Sequence, residues 1–216
     1  MIPRDAIRVT TGATSVRNVM AEAVVEFRFR NPRADLRIST AASSRECVET
    51  LVTGAADLAW ITLPEPGAGR RPGVEHVPVL ELPWVLAMRA GEIYADRAWV
   101  EVAELSGLSL VRLPEESISG ARLAAALADV TLADDAGHGD WDTALLLAEL
   151  GVGHAVVPRL PGPPPGDTAL RLVQLRGLAP LTVGWAFRAR DVPGPAARAF
   201  AETVSRGCRM RAVYQG

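Results

Sequence analysis

Short β-forming runs alternate with helical segments along the first third of this chain, and no other sequence feature constrains the fold as strongly. Strands are predicted at residues 7–11, 36–40 and 57–62, where β-branched and apolar residues cluster. Helical spacing of apolar side chains falls between them, over about 15–31 and 43–54. Because strands joined by helices lie side by side through right-handed crossovers, this order predicts a parallel sheet in an α/β fold.

The alternation begins again after two further strands and ends on a helix. The predicted strands are 77–80, 84–89, 109–113, 130–133, 154–157, 170–175 and 181–187, and the predicted helices are about 119–127, 141–150 and one from Pro195. Two α/β units joined near Pro83 and again near Gly184 account for this order. We therefore expect one lobe formed by residues 1–83 plus 185–216 and a second lobe formed by residues 84–184.

The charge balance argues against a chain that binds nucleic acid by itself. There are 23 basic and 25 acidic residues, for a formal net charge of −2, whereas a DNA-gripping domain carries a basic excess on one element. Every basic residue is Arg, so chemistry that needs a lysine is excluded. Gly151 and Gly153 precede a strand, whereas the glycines of a dinucleotide fingerprint follow one. We expect no cofactor.

The two cysteines and the first residues indicate the compartment. Cys47 and Cys208 each fall on the apolar stripe of a predicted helix, so we expect two free, buried thiols rather than a disulfide framework. The N-terminal residues lack the apolar segment of a signal peptide, and no run approaches the ~18 apolar residues of a membrane span. These features predict a cytoplasmic protein with no membrane partner.

Five motifs follow one another between Ile7 and about Arg206. The most specific is LVTGAADLA, which begins at Leu51. The others are IRVTTGATS from Ile7 with Asn31-Pro32 behind it, GVE from Gly73 with PWVL from Pro83, LGVGHAVVP from Leu150, and GWAFR from Gly184. In this order and at this spacing the chain resembles the effector-binding domain of LysR-type transcription regulators.

The resemblance implies a type 2 periplasmic-binding-protein fold, in which two Rossmann-like βα lobes are joined by two crossover strands. It implies a regulatory, non-catalytic domain that holds a small effector, often a carboxylate-bearing metabolite, in the cleft between its lobes. It also implies a homodimer formed through the first lobe, near the second strand and the helix after it. Intact regulators read DNA with a separate helix-turn-helix, which this chain is expected to lack.

Candidate site residues lie where strands run into helices, because ligands of parallel sheets bind beyond the strands' carboxyl ends and helix N termini suit anions. In the first lobe these residues are Gly12, Ala13, Thr14, Ser15, Ser43, Ser44 and Thr62. The resemblance favours Thr14 and Ser44 as ligand contacts, whereas helix capping alone also explains Ser and Thr at such positions. Arg45 is the nearest guanidinium and can clamp a carboxylate.

The candidate residues of the second lobe are Ser117, Ser119, His138 and Trp141. Trp141 would supply an apolar wall for the ligand. His138 and Asp140 have two interpretations: a metal or acid–base pair, or a flexible turn in which Asp140 caps the next helix. A zinc site needs three or four ligands and the chain holds 3 His, so we expect no metal and no catalytic residue.

Two other functions of the same fold stay open. A solute receptor would need a leader peptide, and an enzyme would use the charged loop around His138.

His154 falls in a strand expected to be buried, so we interpret it as a hydrogen-bonded core histidine.

Overall fold

The structure is a computed structural model that describes residues 6–65, 71–161 and 169–213. The chain divides into two compact units. One comprises the described residues of Met1–Glu81, Leu160–Gly162 and Thr182–Gly216, and the other comprises those of Leu82–Arg159 and Pro163–Leu181. Within the described ranges each unit has a five-stranded sheet.

Strands and helices alternate along the chain. The strands are β1 (Ala6–Thr11), β2 (Asp35–Thr40), β3 (Leu58–Thr62), β4 (Val74–Leu82), β5 (Trp84–Arg89), β6 (Trp99–Glu101), β7 (Leu110–Val111), β8 (His154–Pro158), β9 (Leu170–Arg176) and β10 (Leu181–Arg188). The helices are α1 (Ala13–Ser15), α2 (Ala21–Arg30), α3 (Ser44–Val52), α4 (Ile118–Ala126), α5 (Trp141–Glu149) and α6 (Pro195–Val213). A π-helical turn, Val16–Met20, joins α1 to α2, and a 3₁₀ turn, Val102–Leu105, follows β6.

The sheet of the first unit has the strand order β2-β1-β3-β10-β4. Strand β1 runs parallel to β2 and β3, which confirms the parallel arrangement predicted from the alternation. Thr11 lies in register with Thr40 and with Trp60, so the carboxyl ends of all three strands meet at one edge. Strand β10 runs antiparallel to β3.

The sheet of the second unit has the order β6-β9-β5-β8-β7. Strands β7 and β8 are parallel, and β5 is antiparallel to both β8 and β9. Helix α4 follows β7 directly, so its N terminus lies at the carboxyl end of that strand. The segment after α4 also runs beside β7, where the amide of Arg112 donates to the carbonyl of Gly137 at 2.8 Å.

Aromatic side chains form much of the core of the first unit. The Phe27 and Phe200 rings pack edge to face at 5.3 Å, and the Trp60 and Trp185 rings do so at 5.1 Å. The Trp185 indole N–H is satisfied by Ser205 Oγ at 3.0 Å. The predicted apolar stripe of α6 is buried, Cys208 included, and Cys47 is the second buried free thiol.

Several predicted elements differ from those found. Residues 130–133 are not a strand, because their backbone makes only scattered bonds to the chain before β7, such as Ala133 N–H to Leu108 O at 3.0 Å. The short β6 was not predicted. The stretches 66–70 and 162–166 of two Pro/Gly-rich segments lie outside the described residues. Among those described, no helix has the length and apolar character needed to cross a membrane.

Candidate ligand-binding site

The loop after β1 carries the first candidate residues. Gly12 caps α1 in an extended conformation, and its carbonyl accepts the amides of Ser15 at 3.1 Å and Val16 at 3.3 Å. Ala13 is exposed, Ser15 is half-buried and Thr14 is buried. The carbonyl of Thr14 accepts a hydrogen bond from Asn18 Nδ2 at 3.0 Å. This loop therefore opens a helix at the sheet edge, as the sequence predicts.

Ser43 is the N-cap of α3, and its hydroxyl oxygen accepts the amide of Glu46 at 3.2 Å. The Glu46 carboxylate accepts the amide of Ala42 at 2.7 Å, one residue earlier than a standard capping box would place it. The capping role of Ser43 is thus confirmed. Because that bond uses Ser43 to stabilise the helix, its position alone is no sign of ligand contact.

Ser44 joins two strand ends of the first unit. Its hydroxyl oxygen accepts the amide of Thr62, the last residue of β3, at 3.2 Å. Nearby, the amide of Ala41 donates to the carbonyl of Thr11 at 2.9 Å and so ties the end of β1 to the residue after β2. A serine hydroxyl that accepts one bond still carries a proton to donate. The structure therefore brings the seven first-unit candidates to one edge of one sheet.

In the second unit three candidates form one chain of hydrogen bonds. The Trp141 indole N–H donates to Ser119 Oγ at 3.2 Å, and Ser119 Oγ lies 3.2 Å from Ser117 Oγ. Ser117 Oγ donates to the carbonyl of Pro114 at 2.6 Å and accepts the amide of Gly120 at 2.9 Å. This chain links the N termini of α4 and α5, whose first amides have no partners within their own helices.

Gly120 is required by this packing. A Cβ at that position would lie 2.0 Å from the carbonyl oxygen of Pro114, which is backbone and cannot move aside. The glycine therefore lets the turn 114–117 close against the first turn of α4.

His138 makes no hydrogen bond to Ser117, Ser119 or Trp141. Its side chain is 67% exposed, and Nε2 lies 3.4 Å from Asp135 Oδ2. Asp140 instead caps α5, where Oδ1 accepts the amide of Thr143 at 2.9 Å. The pairing of His138 with Asp140 is therefore not formed, and the capping interpretation of Asp140 holds. Within the described ranges, no group of three or more His, Cys, Asp or Glu can hold a metal ion.

Arg45 points along its own helix. Its side chain is exposed, and Nε lies 3.5 Å from Glu49 Oε1, one turn further on. The groups at the first-unit edge that can bind an anion are thus the hydroxyls and the amides of helix N termini.

Asn18 contacts the loop after β1, because its side chain donates to the carbonyl of Thr14, but the sequence alone assigns it no role. The sequence signal for this contact is the spacing of four residues between Thr14 and Asn18, which is one helical turn.

A cavity of about 290 Å³ lies beside these hydrogen-bonded residues in the second unit. Helix α4, strand β7 and the segment 130–133 line it, mostly with aliphatic side chains, and Arg112 and Glu115 add charge. Gly120, whose amide donates to Ser117 Oγ, also lines the cavity. Its lining includes none of Ser117, Ser119 and Trp141, so we keep the hydrogen-bonded side chains at the strand ends as the candidate site of this unit.

His154 departs from expectation. It is largely buried at the start of β8, with 15% of its side chain exposed. Neither ring nitrogen, however, has a hydrogen-bond partner among the described residues, and Nε2 lies 3.9 Å from Glu92 Oε2. The expectation of a hydrogen-bonded core histidine is therefore wrong. The residue lies at the amino end of β8 and does not belong to the candidate site.

A family model described as the LysR substrate binding domain matches residues 3–209. A comparison with curated proteins finds no match.

Solved structures share the fold at low identity. HinK, a LysR family transcriptional regulator from Pseudomonas aeruginosa, is 18% identical over 93% of this chain and 69% of its own, with a TM-score of 0.78. The reduced OxyR regulatory domain from the same organism is 18% identical over 93% and 97%, with a TM-score of 0.77. The effector binding domain of QuiR, in complex with shikimate, is 15% identical over 95% and 97%, with a TM-score of 0.74. These likenesses show the type 2 periplasmic-binding-protein fold.

Proposed function

The chain belongs to the LysR substrate binding domain family, and on this premise we propose that it is the small-molecule effector-binding regulatory domain of a LysR-type transcription regulator. The observation that carries the proposal is the convergence of hydroxyls and helix N termini at the strand ends of each unit. A single sheet edge collects Thr14, Ser44 and Thr62, and a second collects Ser117, Ser119 and Trp141. Such edges suit ligand recognition.

The effector we propose is a small organic acid. Helix N termini present amides and a partial positive charge, which stabilise a carboxylate without an arginine. Thr14 and Ser44 would donate their hydroxyls to the carboxylate of the acid. The effector regulates only if it favours one arrangement of the domain over another. We place the domain in the cytoplasm and assign DNA binding to a separate segment. We take its two lobes to be the two compact units, whose boundaries at Leu82 and Thr182 lie two and three residues before the expected starts at 84 and 185.

An enzyme on this fold is the alternative, with His138 as its reactive group. Its ring, however, is 67% exposed and lies 3.4 Å from Asp135, and the pairing with Asp140 that an acid–base role needs is not formed. We therefore propose a binding role without catalysis, cofactor or metal.

A thermal-shift screen tests the proposal. The probes are aromatic acids such as benzoate, dicarboxylic acids such as succinate, shikimate, amino acids and polyketide-like acids. An effector at a hundredfold excess over its Kd should stabilise the chain by about 2.7 kcal/mol. Failure of every acid to shift the unfolding midpoint would contradict the organic-acid proposal.

A matched pair of variants on α3 locates the site. Ser44→Ala removes the hydroxyl at the candidate edge, and Thr53→Ala removes one at the opposite end of the same helix, where Oγ1 bonds the carbonyl of Thr50 at 3.1 Å. We expect Ser44→Ala to weaken binding of the active acid about tenfold or more, because a bond to a charged group is lost. Thr53→Ala should leave the Kd within about twofold, and an equal loss in both variants would remove Ser44 from the site.

A further inference from the structure

The carbonyl of Ala179 is a junction between three segments of the second unit. It accepts the indole N–H of Trp84 at 3.0 Å and Arg122 Nη2 at 3.2 Å. Arg122 Nη1 also donates to the next carbonyl, that of Pro180, at 3.2 Å. The guanidinium thus holds two successive carbonyls with two donors of its rigid planar fork, a geometry that a lysine ammonium does not reproduce.

The position of these residues in the chain gives the junction its significance. Trp84 stands two residues after the chain enters the second unit at Leu82, and Pro180 stands one residue before it leaves at Leu181. Arg122 lies on α4, five residues after the N-cap Ser117. One side chain therefore connects the helix of the candidate site to the segment through which the chain returns to the first unit.

Beyond Pro180 the connection continues into the first unit along β10. The carbonyl of Thr182 accepts the amide of Leu63 at 2.8 Å, and Val183 lies in register with Thr62. The amide of Thr62 is the group that donates to Ser44 Oγ. A continuous series of hydrogen bonds and backbone segments therefore leads from α4, through Arg122 and β10, to Thr62 and Ser44.

We propose that Arg122 is a positioning residue that couples the N terminus of α4 to strand β10 and, through β10, to the Thr62–Ser44 contact. When the cap or an effector holds the N terminus of α4 in place, Arg122 in turn holds the segment before β10. The amides of residues 181–183 and of Leu63 are then more strongly protected from exchange. The regulatory meaning of this coupling rests on the proposed function. The coupling itself is a property of the protein without ligand.

A double-mutant cycle on the full ligand-free chain tests the coupling, because only non-additivity separates transmission from local damage. Ser117→Ala removes the cap of α4 and should speed amide exchange in its first turn about fivefold, the equivalent of a lost N-cap at ~1 kcal/mol. With Arg122 present, exchange at 181–183 and at Leu63 should rise by a comparable factor. In the Arg122→Met background, Ser117→Ala should still fray α4 but add no further change at those amides.

Controls keep the test decisive. Arg122→Lys keeps the charge but not the fork, so it should uncouple as Arg122→Met does, and it serves in its place if the Met variant unfolds. Arg176→Met removes an arginine of β9 that stacks 4.3 Å over the Trp99 ring, and it should leave the coupling intact. If Ser117→Ala speeds exchange at 181–183 equally with and without Arg122, or not at all in the parent chain, the coupling is overturned. That result would leave the acid screen unaffected, so the two failures are distinguishable.

Discussion

At the scale of single residues, Asp57 organises the amino end of the first sheet. Its carboxylate accepts the amide of Arg8 at 2.9 Å and the Arg8 guanidinium at 3.1 and 2.6 Å. Arg188 lies 3.9 Å from the same carboxylate and donates to the carbonyls of Leu51 and Ala56. Arg8 Nη1 also donates to the carbonyl of Gly54 at 2.6 Å, so both arginines bind carbonyls at the C-terminal end of α3, where such groups lack partners within the helix.

The charge state of Asp57 makes stability depend on acid pH. Burial works to raise the pKa of the Asp57 carboxyl, but the hydrogen bonds and positive charge of Arg8, with the charge of Arg188, outweigh it and hold that pKa below its usual value. A folded pKa below the unfolded one, about 3.9, stabilises the protein above that pH. The contribution should disappear as pH falls through the folded pKa. Chemical denaturation between pH 7 and pH 3 measures it as the free energy of unfolding.

Two variants isolate this contribution. Asp57→Asn should lower the free energy of unfolding at pH 7 and flatten its decline below about pH 4, because the titrating group is gone. Asp35→Asn removes an exposed carboxylate that pairs with Arg37 on the same strand, and it should change little, since surface ion pairs contribute about 0–1 kcal/mol. An unchanged pH slope in Asp57→Asn would refute the role given to Asp57.

The LVTGAADLA motif shows how far residues alone could be interpreted. The motif identified the resemblance and predicted the helix, the turn at Gly54 and the strand. It gave Asp57 no role, because the partners Arg8 and Arg188 lie 49 residues before it and 131 after it in the sequence. Local patterns specify elements, whereas this ion-pair network depends on which strands become neighbours.

At the scale of elements, the packing of β4 against β10 depends on Gly184. A Cβ there would lie 2.2 Å from the carbonyl oxygen of Val77 and 3.0 Å from Cα of Pro78, and both are backbone atoms. Gly184→Ala should therefore force the strands apart and lower the free energy of unfolding by about 1–3 kcal/mol, the usual cost of overpacking. Urea denaturation measures the change.

Gly207 provides the matched control for that substitution. It lies within α6, and a Cβ there would meet nothing within 4 Å. Gly207→Ala should raise the free energy of unfolding by up to ~1 kcal/mol, because alanine is the better helix former. Equal effects of the two substitutions would mean that the strand contact at Gly184 is not close.

The elements that were predicted best are those with strong local signals. The first three strands and α3 were recognisable from β-branched runs, apolar periodicity and the capping pair Ser43 and Glu46. Residues 130–133 have the composition of a strand, but they make scattered bonds to their neighbours instead of a ladder. Strand β6 is three residues long and depends on pairing with β9, 75 residues away, so no local signal identifies it.

At the scale of the whole molecule, the sequence predicts where in the two sheets the candidate residues lie, but not which hydrogen bonds join them. Sheet geometry places Ser44 and Ser119 at strand ends from the sequence alone. The bonds that join Ser44 to Thr62, 18 residues apart, and Ser119 to Trp141, 22 residues apart, require the folded chain. Arg122 shows the same dependence, since its partners at Ala179 and Pro180 are 57 and 58 residues away.

The surface of the first unit carries the features of an interface. Strand β2 is at the edge of its sheet, and edge strands offer unpaired backbone groups to another chain. Helix α2, which follows β1, exposes Val25 and Phe29 one turn apart, and the Phe29 side chain is 88% exposed. These two apolar side chains are available for contact with another chain. The family resemblance points to β2 and the helix after it, α3, and we propose that the homodimer interface of the first unit also includes the exposed side chains of α2.

Light scattering during size exclusion tests the dimer directly. The chain has a mass of 23.0 kDa, so a dimer should be measured at twice that, about 46 kDa. Phe29→Asp places a charge on the proposed face and should shift the species to the monomer mass at micromolar concentration, because an interface rejects an unpaired buried charge. Val192→Asp makes the same change at an exposed valine in the turn before α6, and it should leave the dimer intact. A parent chain measured at 23.0 kDa at all concentrations, or a Val192→Asp variant that dissociates as readily as Phe29→Asp, would show that this face is not the interface.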